Sequence, residues 1–122
     1  MIAPRKIIAF SASVETATGL ALIVAPALVA RLLLGDELSG LGIVVAHGFG
    51  VALLALSLAV WPVAGKVTVQ AVRGMLLYNI LLAFYLAWLG TAGHTSGVLL
   101  WPAATLHGAV AALLLRPSRA AT

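Results

Sequence analysis

The chain predicts an all-α fold, with four transmembrane helices in an up-down antiparallel bundle and both termini cytoplasmic. Three observations carry that prediction. Four apolar segments each approach the ~20 residues that cross the ~30 Å hydrocarbon core of a bilayer. Of 122 residues, 63% are hydrophobic and only 8% are charged, and the mean hydropathy is +1.17. Six of the seven basic residues would share one side of the membrane. Soluble domains carry about 25% charged residues, so this chain could not cover a globule of its own size with polar groups.

The segments run at about 7–29, 40–61, 70–89 and 97–115. Short connections join them (RLLLGDELS, PVAGKVTV and GTAGHTS), each with the Gly, Pro or Ser of a turn, so residues 1–122 form one domain. Short connections make consecutive helices antiparallel neighbours. Barrel strands are near ten residues and alternate in polarity; segments of ~20 without alternation are helices, whose backbone bonds are satisfied internally. Pro26 near the end of the first segment is expected to kink or terminate that helix.

Orientation follows from Arg5, Lys6, Lys66, Arg73, Arg116 and Arg119, against Arg31 alone on the other side. Trp61, Trp88 and Trp101 fall near segment ends, as an interfacial aromatic belt would place them. Arg5 and Lys6 followed by an apolar stretch and PALVA also suggest a signal peptide. That stretch is longer than a signal core and Glu15 interrupts it, so an uncleaved first helix is expected.

Lipid tails are as apolar as leucine, so helices associate through close backbone approach and interhelical hydrogen bonds. Small residues at four-residue spacing mark Ser13, Ala17, Ala21 and Ala25; Gly42, Ala46 and Gly50; and Ala104, Gly108 and Ala112. Three such faces exceed what one bundle needs internally, which leaves room for a homo-oligomer seam or a membrane-protein partner. The third segment lacks the pattern and is expected to face lipid more, with Asn79 turned inward.

Glu15 is the residue that asks for an explanation, because a carboxylate within the span is costly. At 1.5 Å per residue it lies roughly 12 Å from the basic-side start of its segment. By the same count Asn79 lies roughly 13 Å and His107 roughly 12 Å from that side. Three helices thus place a carboxylate, an amide and an imidazole at one level. Ser11, Glu15 and Thr18 share a helix face, and His47 lies nearer the opposite side. Tyr78 and Tyr85 fall on a different face of their helix from Asn79. The candidate layer is therefore Glu15, Asn79, His107, His47 and Thr18.

The leading interpretation is a buried hydrogen-bonded layer that pins the helices in register, within a non-enzymatic accessory or interaction component. A proton-coupled small-molecule transporter using Glu15 and His107 is the alternative. A haem-binding electron carrier through His47 and His107 is the third. The leading interpretation needs no cofactor and no metal. The chain has no cysteine, hence no disulfide or thiolate ligand. It has no phosphate-cradling glycine loop, Gly-x-Ser-x-Gly elbow or His-Glu-x-x-His pair. Its basic groups sit at segment ends rather than in a stripe, so the expected surroundings are the lipid bilayer and no nucleic acid.

VETATG around Glu15 loosely resembles the first-helix motif of the small multidrug resistance transporters, also four-helix proteins of this size. The chain departs from them in its strong charge bias and in QAVRGMLLYNILLAFYLAW, which lacks their third-helix glycine pattern. The strings ETATGLALIVAP, RGMLLYN and LLWPAATLH more closely resemble small bacterial four-helix integral membrane proteins with no assigned activity. That resemblance implies a bacterial inner-membrane location and transfers no site residue.

Overall fold

The computed structural model describes residues 2–116, and Arg119 lies outside them. These residues form five helices and no strand. They are α1 (Pro4–Val24), α2 (Pro26–Leu34), α3 (Leu41–Val60), α4 (Val69–Thr91) and α5 (Leu100–Leu115). Helices α1, α3 and α4 are long and apolar enough to cross a membrane; α5 is apolar but shorter, at 16 residues.

The first expected segment is two helices. Proline at position 26 has no N–H to donate and its ring crowds the preceding turn, so α1 ends and Ala25 takes a non-helical conformation (φ −141°, ψ 59°). The break starts a second helix with Pro26 in its first turn, where the missing donor costs nothing. Gly35 ends α2 at φ 76°, its N–H bonding the carbonyls of Ala30 and Arg31.

The last expected segment begins three residues late, at Leu100 rather than Gly97. Residues 96–99 run against the end of α2 instead. Ser96 N–H donates to the Leu34 carbonyl at 3.2 Å and Leu99 N–H to the Leu32 carbonyl at 2.8 Å. Those carbonyls have no partner inside α2, so the connection completes the helix end. Gly97 permits the approach, since a Cβ there would collide with the Leu33 carbonyl. Between α3 and α4, Ala64 (φ 50°) and Gly65 (φ 72°) make a tight reversal, and Thr68 caps α4 by accepting from Ala71 N–H at 3.1 Å.

The helices pack as two pairs, α1 on α3 and α4 on α5, with sparser contact between the pairs. Consecutive α3 and α4 are therefore not the close neighbours their short connection suggested. Glycine makes the first pair close: a Cβ on Gly19 would sit 2.8 Å from the Gly50 carbonyl oxygen, and one on Gly50 2.7 Å from that of Gly19. This crossing replaces the expected small face of α1, where Ser13 and Ala17 are exposed. In the second pair a Cβ on Gly90 would sit 2.7 Å from the Trp101 ring. Helix α4, expected to be the more lipid-facing, is no more exposed than α3 because it lies along α5.

Three levels join the pairs. At one end Ile8, Ala12, Val60 and Met75 form an apolar cluster, with Val72 and Leu114 against it. At the other, the backbone bonds from residues 96 and 99 tie α2 to the start of α5. The polar layer lies between. The apolar-cluster end also carries Arg5, Lys6, Lys66, Arg73 and Arg116, whereas the Arg31–Glu37 pair (2.7 Å) sits at the opposite end.

The Gly19–Gly50 crossing makes a clear mutational contrast. Gly50→Ala is expected to lower stability in detergent by about 1–3 kcal/mol, the usual cost of overpacking. Gly48→Ala, with open space around it on the same helix, should leave the melting temperature unchanged or slightly raised. Thermal unfolding followed by circular dichroism checks both.

Candidate functional site

Three of the five expected residues come together. Glu15 (1% exposed), Asn79 (0%) and His107 (6%) are buried side by side, contributed by α1, α4 and α5. Tyr78, assigned by helix periodicity to another face, joins them: its hydroxyl donates to Glu15 Oε2 at 2.7 Å. Adjacent helical residues point about 100° apart, but α4 meets both α1 and α5, so both directions lead inward. Tyr78 is long enough to reach across, packing on the cluster of Ile8 and Met75 and on that of Leu22, Ala46 and Leu53.

Asn79 fixes the proton positions. Its Nδ2 donates to the Met75 carbonyl at 2.8 Å and, more weakly, to Ser11 Oγ at 3.3 Å. A backbone carbonyl can only accept, so the amide orientation is determined and Oδ1 faces His107 Nδ1 at 2.8 Å. Nδ1 must then carry the hydrogen and donate it. In the neutral imidazole this leaves Nε2 as the bare nitrogen.

Glu15 Oε1 is the unmatched atom. It lies 3.8 Å from His107 Nδ1, beyond hydrogen-bond length, and it is buried without a partner. The Tyr78 ring stands edge-on to the His107 ring, with centroids 5.8 Å apart at 85°, and limits how far the imidazole can turn.

Thr18 and His47 stand outside this network. The Thr18 hydroxyl donates to the Val14 carbonyl of its own helix at 2.9 Å, as those of Ser13 and Thr16 do one turn back along α1. His47 is exposed on α3, whose inward face is Ala46, Gly50, Leu53 and Ser57. The two histidines proposed for haem therefore do not face a common gap. His94 lies against Trp88, with ring centroids 5.2 Å apart, at the end away from the basic residues.

Chemically, the layer is two hydrogen-bonded groups, Tyr78–Glu15 and His107–Asn79–Ser11, which face each other across the 3.8 Å gap between Glu15 and His107 and draw on three helices. Among the described residues no three His, Asp or Glu side chains gather as a metal site would need. Among the described residues, grooves run along α1–α5 and α4–α5, and neither of these is lined by Glu15, Asn79 or Tyr78. The chain matches no protein-family model, no curated protein and no solved structure.

Removing one member tests the proton positions. Asn79→Leu leaves His107 Nδ1–H without its acceptor in a buried site and is expected to cost about 1–3 kcal/mol. Thr18→Val removes only a bond within α1 and should stay within about 0.5 kcal/mol of wild type. Thermal unfolding in one detergent ranks the two.

Proposed function

We propose that the chain is one of the small bacterial inner-membrane proteins its sequence resembles. In this reading it is a non-enzymatic accessory or interaction component that crosses the bilayer four times, with both termini cytoplasmic. The buried polar layer serves as its register pin. The observation that carries this reading is that Glu15 is sealed: it is 1% exposed, its neighbours are protein side chains, and neither groove is lined by it. The basic residues at one end of the helices support the orientation, and the exposed Trp61, Trp88 and Trp101 near the helix ends suit membrane interfaces.

One observation favours the transport alternative. Glu15 Oε1 is buried and unpartnered beside an imidazole, so a small turn of His107 would make a Glu–His contact that could exchange a proton. The two helix pairs meet sparsely, as bodies that rock against each other would.

Proteoliposomes separate the readings. With a pH-sensitive dye enclosed, wild-type vesicles are expected to leak protons no faster than empty ones, and Glu15→Gln should only lower the melting temperature. Proton flux above the empty-vesicle rate that Glu15→Gln abolishes would establish transport instead.

Topology has its own check. Because the chain lacks cysteine, single replacements can be labelled without background. An impermeant maleimide added to intact cells should reach Asp36→Cys and spare Lys66→Cys until the inner membrane is opened. The reverse pattern would invert the bundle.

A further inference from the structure

The groove between α1 and α5 has features of a ligand site that neither reading of the polar layer uses. Helix α5 packs along α4 and touches α1 only sparsely, which leaves an open apolar furrow of about 780 Å³ on the outer side. Ligand clefts fall at ~300–1,000 Å³. Its α5 wall runs from Leu113 near the basic end to Trp101 near the other, a length of about 18 Å at the helical rise. Exposed Thr105 and Ala109 keep that wall shallow, and Phe10 lines the α1 side.

The groove has one charged lining residue, Lys6, at the basic end. The chain's three acidic side chains are Glu15, Asp36 and Glu37. Glu15 is sealed in the layer, and Asp36 and Glu37 stand at the opposite end of the helices. No acidic side chain is therefore placed to neutralise Lys6. Arg116 follows α5 just beyond Leu113 and adds positive charge at the same end.

We propose that this groove binds an anionic phospholipid, with one acyl chain along α5 and the headgroup phosphate at Lys6. A zwitterionic lipid would offer the same chain but a headgroup of no net charge. The anionic lipid answers both halves of the site, an apolar channel of acyl-chain dimensions and an uncompensated ammonium at its mouth. The inference rests on the membrane location and on neither account of Glu15.

The test uses full-length protein in a neutral detergent. Phosphatidylglycerol and phosphatidylcholine of identical acyl chains are added separately, and retention is read by native mass spectrometry. One phosphatidylglycerol per chain is expected to be retained about fivefold better than phosphatidylcholine, the advantage one basic residue gives near a membrane surface. Lys6→Gln should remove that preference. Lys66→Gln, the same charge loss at the same end but outside the groove, should preserve it. Ala109→Phe should displace both lipids by filling the channel; if that variant does not fold, Thr105→Phe on the same wall replaces it. Equal retention of the two lipids by wild type would overturn the proposal, as would equal effects of Lys6→Gln and Lys66→Gln, which would indicate diffuse surface charge. Persistence of the chain in carbonate-washed membranes reads the membrane location separately, so loss of that premise is distinguishable from loss of the lipid site.

Discussion

The Tyr78–Glu15 hydrogen bond is the interaction on which the arrangement of the two helix pairs depends. In water, apolar helices are driven together; in lipid that drive is absent and association must come from packing and polar contacts. Within each pair glycine provides the packing, at Gly19–Gly50 in one and at Gly90–Trp101 in the other. Between the pairs contact is sparse, so a directional bond there has more consequence than one inside a pair. Tyr78 to Glu15 at 2.7 Å is short and joins α4 to α1, while Asn79 to Ser11 at 3.3 Å reinforces it one turn away. His107 is held by Asn79 inside its own pair and faces Glu15 only across 3.8 Å. The layer therefore fixes how α4 and α5 sit on α1. The apolar cluster at Ile8 and Met75 and the backbone bonds at Leu32 and Leu34 hold the two ends.

The groove is a consequence of the same geometry. Helix α5 is committed to α4 along its length and meets α1 at the level of Glu15 and His107. Toward the basic end the outer faces of α1 and α5 are left without a protein neighbour, and that is where Lys6 and Phe10 line the furrow. A fold that joins its halves through a polar layer leaves unfilled surface between them, and in a bilayer such surface is covered by lipid.

Much of this was legible in the chain because helical rise is fixed. Counting 1.5 Å per residue from each segment end puts Glu15, Asn79 and His107 at one depth, and errors of a few residues blur the level without dispersing it. Direction was less legible than depth. Thr18 shares a face with Glu15, yet a threonine hydroxyl finds the carbonyl four residues back before it finds another helix. His47 has a depth, but no pattern in the sequence says that α3 turns Ala46 inward and leaves its neighbour exposed. Helix periodicity sets Tyr78 on a different face from Asn79, and only the packing of α4 against two partners turns both faces inward. Pro26 announced a break, but the second helix beyond it depends on carbonyls being met by residues 96 and 99, which is a long-range fact.

The donors around position 15 explain why a carboxylate suits the site better than its amide. Tyr78 points a hydroxyl hydrogen at one oxygen, and the other faces His107 Nδ1 at 3.8 Å. That nitrogen carries a hydrogen already given to Asn79 Oδ1 and so offers no lone pair. The Tyr78 hydroxyl presents a hydrogen and the facing ring nitrogen presents no acceptor, whereas a carboxylate presents only acceptors. Glutamine in the first orientation would accept from Tyr78 but set its own N–H groups against the imidazole N–H. Turned over, it would donate to the tyrosine oxygen, leaving the Tyr78 hydrogen and one amide hydrogen without acceptors. Either way a buried donor goes unmet, which costs about 1–3 kcal/mol. The unpartnered Oε1 leaves a lone pair unmet but sets no hydrogen against another hydrogen. The pattern of donors around position 15 thus favours the oxygens of glutamate over the amide of glutamine.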